Sequence, residues 1–263
     1  MLILLTNDDG IYAPGLAALE RELRRIGDVV VVAPATEQSG VGHSITFLTP
    51  LMAKEATLSD SGDPASPRRR GWAVEGSPAD CVKLAIAKFC PREPDLVVSG
   101  INGGLNVGIN VLYSGTVAAA TEGALYDIPS IAVSLEYDDD PRFDRAAQMG
   151  VGVIEQLLAR DAFANHRLYN LNMPTSATLR PEDDPAELHI VPMGVARWPA
   201  EFEERRDPKG RRYYWAAGTP PTGFPRETDL NAILEGHLTL TPLTVDRTMA
   251  DHLSEMHTWD IKV

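Results

Sequence analysis

The stretch Leu2-Ile3-Leu4-Leu5-Thr6-Asn7-Asp8-Asp9-Gly10 begins with four apolar residues and ends in a polar, acidic turn sequence. An unbroken run of Leu and Ile, rather than an alternation, suits a strand buried on both faces of a parallel sheet. In open α/β sheets ligands bind beyond the carboxyl ends of the strands, which is where Asp8 and Asp9 fall. Successive side chains on a strand point to opposite faces, so both carboxylates can reach one ion only if the backbone turns at the tip. Gly10 permits that turn. Two readings stand for the tip alone: a pair of hard oxygen ligands for Mg²⁺ or Mn²⁺, or a strand-to-helix turn whose Asp residues cap the next helix.

Outward from this strand, Pro14 suits a first helical turn, and Leu16, Leu19, Leu23 and Ile26 recur at helical spacing up to Gly27. Val29–Val32, followed by Ala33 and Pro34, makes a second buried strand and completes a βαβ unit. A polar loop from Ala35 to Gly42 follows. Ile45–Ala53 and Trp72–Glu75 read as strands, separated by a long exposed loop over 59–70 that contains Arg68, Arg69 and Arg70. That basic run reads as a solvated loop cluster.

Ser77-Pro78-Ala79-Asp80 has the form of a capped helix start, and the helix is expected to run to about Phe89. Asp95–Gly100 is a third buried strand, ending in a Gly- and Asn-rich loop. Ser114, Gly115 and Thr116 lead into an alanine-rich helix. Ser130–Leu135, a helix from Phe143 to Arg160 and Leu168–Met173 continue the alternation. The fold expected is α/β, a doubly wound, mostly parallel, Rossmann-like sheet over residues 1–174. Strands at Glu187–Pro192 and Arg211–Trp215, a turn at Asp207–Gly210, a short helix at Asp229–Glu235 and alternation over His237–Leu243 suggest that 175–263 is a mainly antiparallel appendage and tail.

Length and composition describe an ordinary globular chain: 263 residues, 44% hydrophobic and 23% charged. The balance of 24 Lys and Arg against 37 Asp and Glu gives −13, which argues against a broad nucleic-acid face. It leaves room for a local pocket that holds phosphate through backbone N–H groups and a metal. Cys81 and Cys90 stand nine residues apart on one expected helix, a rise of about 13 Å, too far for a disulfide. They read as thiols of a reducing compartment. No basic region precedes the short first apolar run and no run approaches 18 residues, so a cytoplasmic protein without a membrane span is expected.

Three loops fall at strand carboxyl ends: Asn7–Gly10, Gln38–Gly40, and Ser99–Gly104. Converging, they offer two carboxylates, the Ser39 hydroxyl and the Asn102 amide oxygen, all hard donors. The Gly-rich third loop and the helix entered through Ser114–Thr116 supply N–H groups for an oxyanion. Metal plus anion cradle suggests phosphoryl chemistry. The P-loop pattern is absent, as is a dinucleotide-binding G-x-G-x-x-G after the first strand, and Asp8 and Asp9 are adjacent rather than spaced Asp-x-Asp. Taken singly, Ser39 reads as a loop serine and Asn102 as a turn residue.

Five motifs carry a close resemblance to the SurE family, the stationary-phase survival nucleotidases: Thr6–Gly15 (TNDDGIYAPG), Ala33–Gly40 (APATEQSG), Gly76–Cys81 (GSPADC), Ser99–Gly108 (SGINGGLNVG) and Tyr113–Gly123 (YSGTVAAATEG). They are dense and in order over the first half. Asp207–Gly210 and the Thr239–Leu243 strand are similar to the family's second half with less specificity. Ser77 stands where the family pattern has a threonine, and the 59–70 loop is long.

The resemblance implies a metal-dependent phosphomonoesterase acting on nucleoside 5′- and 3′-monophosphates, extending to short polyphosphate. It implies one divalent cation per subunit, Mg²⁺ or Mn²⁺, on Asp8, Asp9, Ser39 and Asn102, with Asp8, Asp9 and Asn102 as the catalytic set. Substrate would meet Ser39, Gly40, Asn102, Asn106, Ser114, Gly115 and Thr116. It also implies homodimers or homotetramers that exchange C-terminal elements, with neither membrane nor nucleic-acid polymer as partner. Two rivals are a non-catalytic nucleotide-binding module and a covalent phosphatase with Asp8 as nucleophile. His43 reads as a loop histidine close enough to Ser39 to serve as an acid. His252, Glu255 and His257 lack the H-E-x-x-H spacing and read as a polar helix face.

Overall fold

A computed structural model of the chain describes residues 1–58, 69–181, 183–196, 201–217 and 227–261. In chain order the elements are β1 (Leu2–Thr6), α1 (Pro14–Leu23), β2 (Asp28–Pro34), β3 (Met52–Leu58), β4 (Arg69–Glu75) and α2 (Pro78–Leu84), which continues as a π-helical turn over Ala85–Phe89. Then come β5 (Leu96–Gly103), a 3₁₀ turn at Gly108–Leu112, α3 (Gly115–Leu125), β6 (Ser130–Leu135), α4 (Phe143–Ala159), β7 (Leu168–Met173) and α5 (Thr175–Thr178). The last part contributes β8 (Leu188–Ile190), β9 (Glu201–Arg206), β10 (Arg212–Ala217), α6 (Asp229–Leu234), β11 (Leu238–Pro242) and α7 (Ala250–Met256).

The main sheet has the order β3-β4-β2-β1-β5-β6-β7-β11-β8, parallel except at β3–β4 and β7–β11. β1 is flanked by β2 on one side and β5 on the other, with registers Leu4↔Val30 and Leu4↔Val97. The strand order reverses there, which opens a crevice at the carboxyl ends.

Both faces of β1 are buried, as its unbroken apolar run requires. Ile3 and Leu5 join the layer of α1 and α4 with Leu16, Leu19 and Leu23. Leu4 faces the other way, with Cys81 and Val82 of α2 and Ala119 of α3. Each such leucine, fully enclosed, stabilises the fold by about 1.5–3 kcal/mol relative to exposure. The helix at Ser77 is capped as expected: its hydroxyl accepts from Asp80 N while the Asp80 carboxylate accepts from Ser77 N at 2.9 Å.

Three expectations shift. The strand expected over Ile45–Ala53 starts at Met52, because the segment before it is spent elsewhere. Ser77 Oγ donates to Ser44 O at 2.6 Å and Thr46 N donates to Asp80 Oδ1 at 2.9 Å, tying Ser44–Thr46 to the start of α2. Beyond residue 174 only β9–β10 stands apart as an antiparallel pair, closed by the expected turn at Asp207–Gly210 (Gly210 N to Asp207 O, 2.9 Å). β11 and β8 extend the main sheet instead, β11 antiparallel to β7. Residues 59–68 of the expected loop lie outside the described residues, and Arg69 proves structural: its Nε donates to the buried Glu20 at 2.9 Å. Cys81 is buried, Cys90 half-buried, and both are free thiols.

Candidate metal and phosphate site

The acidic tip is built by its own backbone. Asn7, fully buried, donates from Nδ2 to Gly10 O at 3.0 Å and accepts Gly10 N at 3.2 Å. Gly10 adopts φ +103°, a conformation that favours glycine. This clamp turns the chain between Asp8 and Asp9. Gln38 N then donates to Asp8 O at 2.7 Å, which brings the loop after β2 against the tip.

The two carboxylates take different neighbours. Asp8, 4% exposed, accepts from the Thr116 hydroxyl and from the Thr116 backbone N–H at the start of α3. A Cβ on Gly115 would lie 2.8 Å from Asp8 Cβ, so glycine is what allows the helix to come this close. Asp9 Oδ2 accepts from Gly103 N at 3.2 Å, in the same tip as Asn102. Asn102 spends its amide nitrogen on Gly104 O at 2.6 Å, which makes its oxygen the side chain's ligand atom.

Ser39 Oγ donates to Glu37 Oε1 at 2.7 Å. The Glu37 charge also bears on both aspartates. Glu37 is thus a third acid of the site that sequence reasoning missed. The signal was its position two residues before Ser39 in the same strand-end loop.

Burial pushes the Asp9 carboxyl up to about 6, and the Asp8 charge beside it adds to the effect. Burial raises Asp8 as well, against the lowering pull of its Thr116 hydrogen bonds. Among the described residues no lysine, arginine or histidine forms an ion pair with Asp8, Asp9 or Glu37. Beneath the tip the register partners Thr6 and Ser99 bury their hydroxyl oxygens without a partner. Crowded acids without a cation, beside an amide oxygen, a serine and orphan hydroxyls, form a hard-oxygen donor set that fits a divalent cation.

The α3 end is arranged for an anion in part. Ser114 caps the helix by accepting Val117 N at 3.0 Å, and Gly42 N donates to Tyr113 O at 2.8 Å, so the loop carrying Ser39 and Gly40 crosses beside Ser114 and Gly115. The Thr116 hydroxyl, expected to meet phosphate, is turned to Asp8 instead. Asn106 is not brought to the site's surface: it is 6% exposed, donates from Nδ2 to Ser134 Oγ at 2.8 Å, and accepts Asn170 Nδ2 on its carbonyl at 2.8 Å. It positions the loop after β5. Its backbone and its amide nitrogen are engaged within the fold.

His43 Nε2 lies 2.7 Å from Glu122 Oε2, and Lys83 Nζ donates to Glu122 Oε1 at 3.0 Å. His43 and Ser114 both line a cavity of about 860 Å³, together with Leu112, Val117, Leu168, Ile190, Met193 and Arg247. His252 and Glu255 stay on the exposed helix α7, paired at 3.2 Å, as a polar face.

Comparison with known proteins identifies the family. The sequence profile described as "Survival protein SurE" matches residues 3–200. A protein of Rhodopirellula baltica named 5′-nucleotidase SurE is 54% identical over all of both chains. A protein of the same name from Chloroflexus aggregans is 44% identical over 99% of each chain. The crystal structure of the SurE protein from Aquifex aeolicus superposes with a TM-score of 0.78 at 33% identity, covering 97% of this chain and 98% of its own. Profile, full-length relatives and fold coincide, and the chain belongs to the SurE survival-protein family.

Proposed function

We propose that this chain is a nucleotidase that hydrolyses nucleoside 5′- and 3′-monophosphates, and short polyphosphate, with a divalent cation held by Asp8, Asp9, Ser39 and Asn102. The observation that carries the reading is the uncompensated acid cluster at the β1/β5 crevice, packed directly against the N-terminus of α3. The full-length relatives named 5′-nucleotidase support the substrate class. When bound, Mg²⁺ or Mn²⁺ would supply neutralisation of phosphate charge and a more acidic water.

The chain's own groups do the rest. The Ser114 hydroxyl and the Gly115 N–H at the start of α3 receive phosphate oxygens, aided by the helix's partial positive charge. The Thr116 hydroxyl fixes the Asp8 carboxylate rather than the substrate. Asp9, half-buried and held by the Gly103 N–H at the mouth of the crevice, is the acid placed to accept the proton of the attacking water. The apolar cavity that Ser114 helps to line has the size of a nucleoside site, and His43, which lines the same cavity, is the candidate acid for a leaving alkoxide. The burial of Asp8, with Gly115 against its Cβ, argues against its acting as a covalent phosphoryl acceptor, which needs in-line access.

Phosphate release from AMP and GMP tests the proposal. It should vanish in EDTA and return with excess Mn²⁺ or Mg²⁺. Binding without turnover would instead support a nucleotide-binding module, and full turnover in chelator would remove the cation from the account. The exposed β9–β10 pair, with Phe202, Tyr214 and Trp215 uncovered, and the wholly exposed α7 suit exchange between subunits in a dimer or tetramer. Among the described residues no helix is long and apolar enough to cross a membrane. The free thiols Cys81 and Cys90 support a reducing, cytoplasmic setting.

A further inference from the structure

At the far edge of the sheet, β8 and β11 run parallel with Leu188 opposite Leu238, and Leu238 N donates to Glu187 O at 2.9 Å. Glu187 stands immediately before β8 and His189 within it. His237 stands immediately before β11, its ring stacked on His189 with centroids 4.0 Å apart and planes 14° from parallel. One donor atom from each of Glu187, His189 and His237 lies within 4.8 Å of the others. His189 reaches two carboxylates: Nε2 is 3.3 Å from Glu187 Oε2, and Nδ1 contacts Glu227, which arrives from the segment before α6. His237 Nδ1 is buried and has no partner.

We infer that Glu187, His189 and His237 form a second cation site, selective for a borderline transition metal such as Zn²⁺, with Glu227 on the other ring nitrogen of His189 as the carboxylate that orients the ring. Two neutral imidazoles and the Glu187 carboxylate would hold the ion, and the Glu227 carboxylate behind His189 brings the local charge to −2, which matches a divalent ion. Mixed nitrogen and oxygen donors suit Zn²⁺, Co²⁺ or Ni²⁺, whereas the all-oxygen tip suits Mg²⁺ or Mn²⁺. Tetrahedral ligation with bonds of about 2.0–2.1 Å would draw the donors to roughly 3.3 Å from one another, a closing within reach of side-chain rotation. The buried Nδ1 of His237 supplies the second observation: it is a ring nitrogen held out of water with nothing to bond.

The site is separate from the acidic tip. β11 lies four strand positions from β1, roughly 19 Å at ordinary strand spacing. Its consequence for the fold is specific. Two residues after Glu227, the buried Asp229 accepts Gly108 N and Gly194 N, both at 2.7 Å. A metal that fixes His189 between β8 and β11 would therefore also hold its Glu227 partner, and with it the segment that anchors Gly108 in the loop after β5. That assigns the site to stabilising the structure rather than to the hydrolytic step.

The test is a titration of Zn²⁺ alone, and of Co²⁺ for its visible bands, into the full chain carrying Asp8→Asn and Asp9→Asn, which silences the tip. One equivalent should bind, give tetrahedral Co²⁺ absorption and raise Tm. His189→Gln and His237→Gln should each weaken binding more than about tenfold and abolish the Tm rise. If the double aspartate variant fails to fold, the wild-type chain saturated with Mg²⁺ takes its place, and the His variants should lose one Zn²⁺ equivalent from it. Zn²⁺ stoichiometry and affinity unchanged by His189→Gln and His237→Gln would overturn the site. Absence of any Zn²⁺ binding to the folded chain would overturn it equally.

Discussion

Two acidic centres meet α3, one on the helix and one at its start, and are treated in opposite ways. Glu122, on the helix itself, accepts from His43 and Lys83. Burial alone would raise its carboxyl, but those partners outweigh burial and hold it below the usual carboxylate range. Asp8 and Asp9, packed against and beside the start of the same helix, receive only hydroxyl and backbone N–H donors, and both are raised. The fold supplies a cationic partner to one acid and withholds it from the other pair. A buried carboxylate with its cations built in is structural, whereas a crowded pair without any leaves a place for a cation from outside.

The sharpest way to break this contrast is substitution at the tip. Asp8→Asn and Asp9→Asn should each reduce kcat/KM for AMP by on the order of 10²-fold or more while the chain stays folded, because each would remove the charge of a proposed ligand without changing shape. Circular dichroism and phosphate release on the same samples check it. Activity within a few-fold of wild type would place the chemistry elsewhere.

A smaller effect is expected from Gly115→Ala. The new Cβ meets Asp8 Cβ at 2.8 Å and Pro78 Cγ at 3.0 Å, so helix and acidic tip must separate. The overpacking should cost about 1–3 kcal/mol in denaturant unfolding, with a parallel loss of turnover as Thr116 leaves Asp8. Unchanged stability and turnover would mean that the close approach is not needed.

The other centre sharpens the comparison through pH. A carboxyl held below its ordinary value in the fold contributes stability above that ordinary value, and the contribution is lost as pH falls through the folded value. Glu122→Gln should therefore be less stable than wild type at pH 7. The gap in Tm should narrow once pH falls below about 4. A gap that stays constant between pH 7 and pH 3 would show that the ion pairs contribute nothing and that only shape matters there.

Much of this arrangement is legible in the chain before it is folded. Unbroken apolar runs such as Leu2–Leu5 mark strands buried on both faces, and helical spacing from Leu16 to Leu23 marks the connecting helix, because burial alone sets both patterns. Asp8, Asp9 and Asn102 fall at strand ends, so the sheet itself brings them together. What was not legible depends on long-range pairing or on side-chain orientation. Nothing in the sequence says that β11 pairs with β7 rather than with a separate appendage. Ile45 belongs to no strand, because Ser44 and Thr46 are tied to Ser77 and Asp80 more than thirty residues away. Thr116 and Asn106 are polar residues in the expected loops, yet one turns to Asp8 and the other to Ser134. Glu37 carries no motif of its own and gains meaning only when its charge is seen beside both aspartates.

The tip formed by Asp8 and Asp9 is proposed to hold one hard divalent cation. Counting Mn²⁺ bound per chain at pH 7, by calorimetry or paramagnetic resonance, tests it directly. The expected result is one Mn²⁺ on the wild-type chain, accompanied by a rise in Tm, and neither on the folded chain carrying Asp8→Asn and Asp9→Asn. Equal Mn²⁺ binding by the two chains would contradict the account.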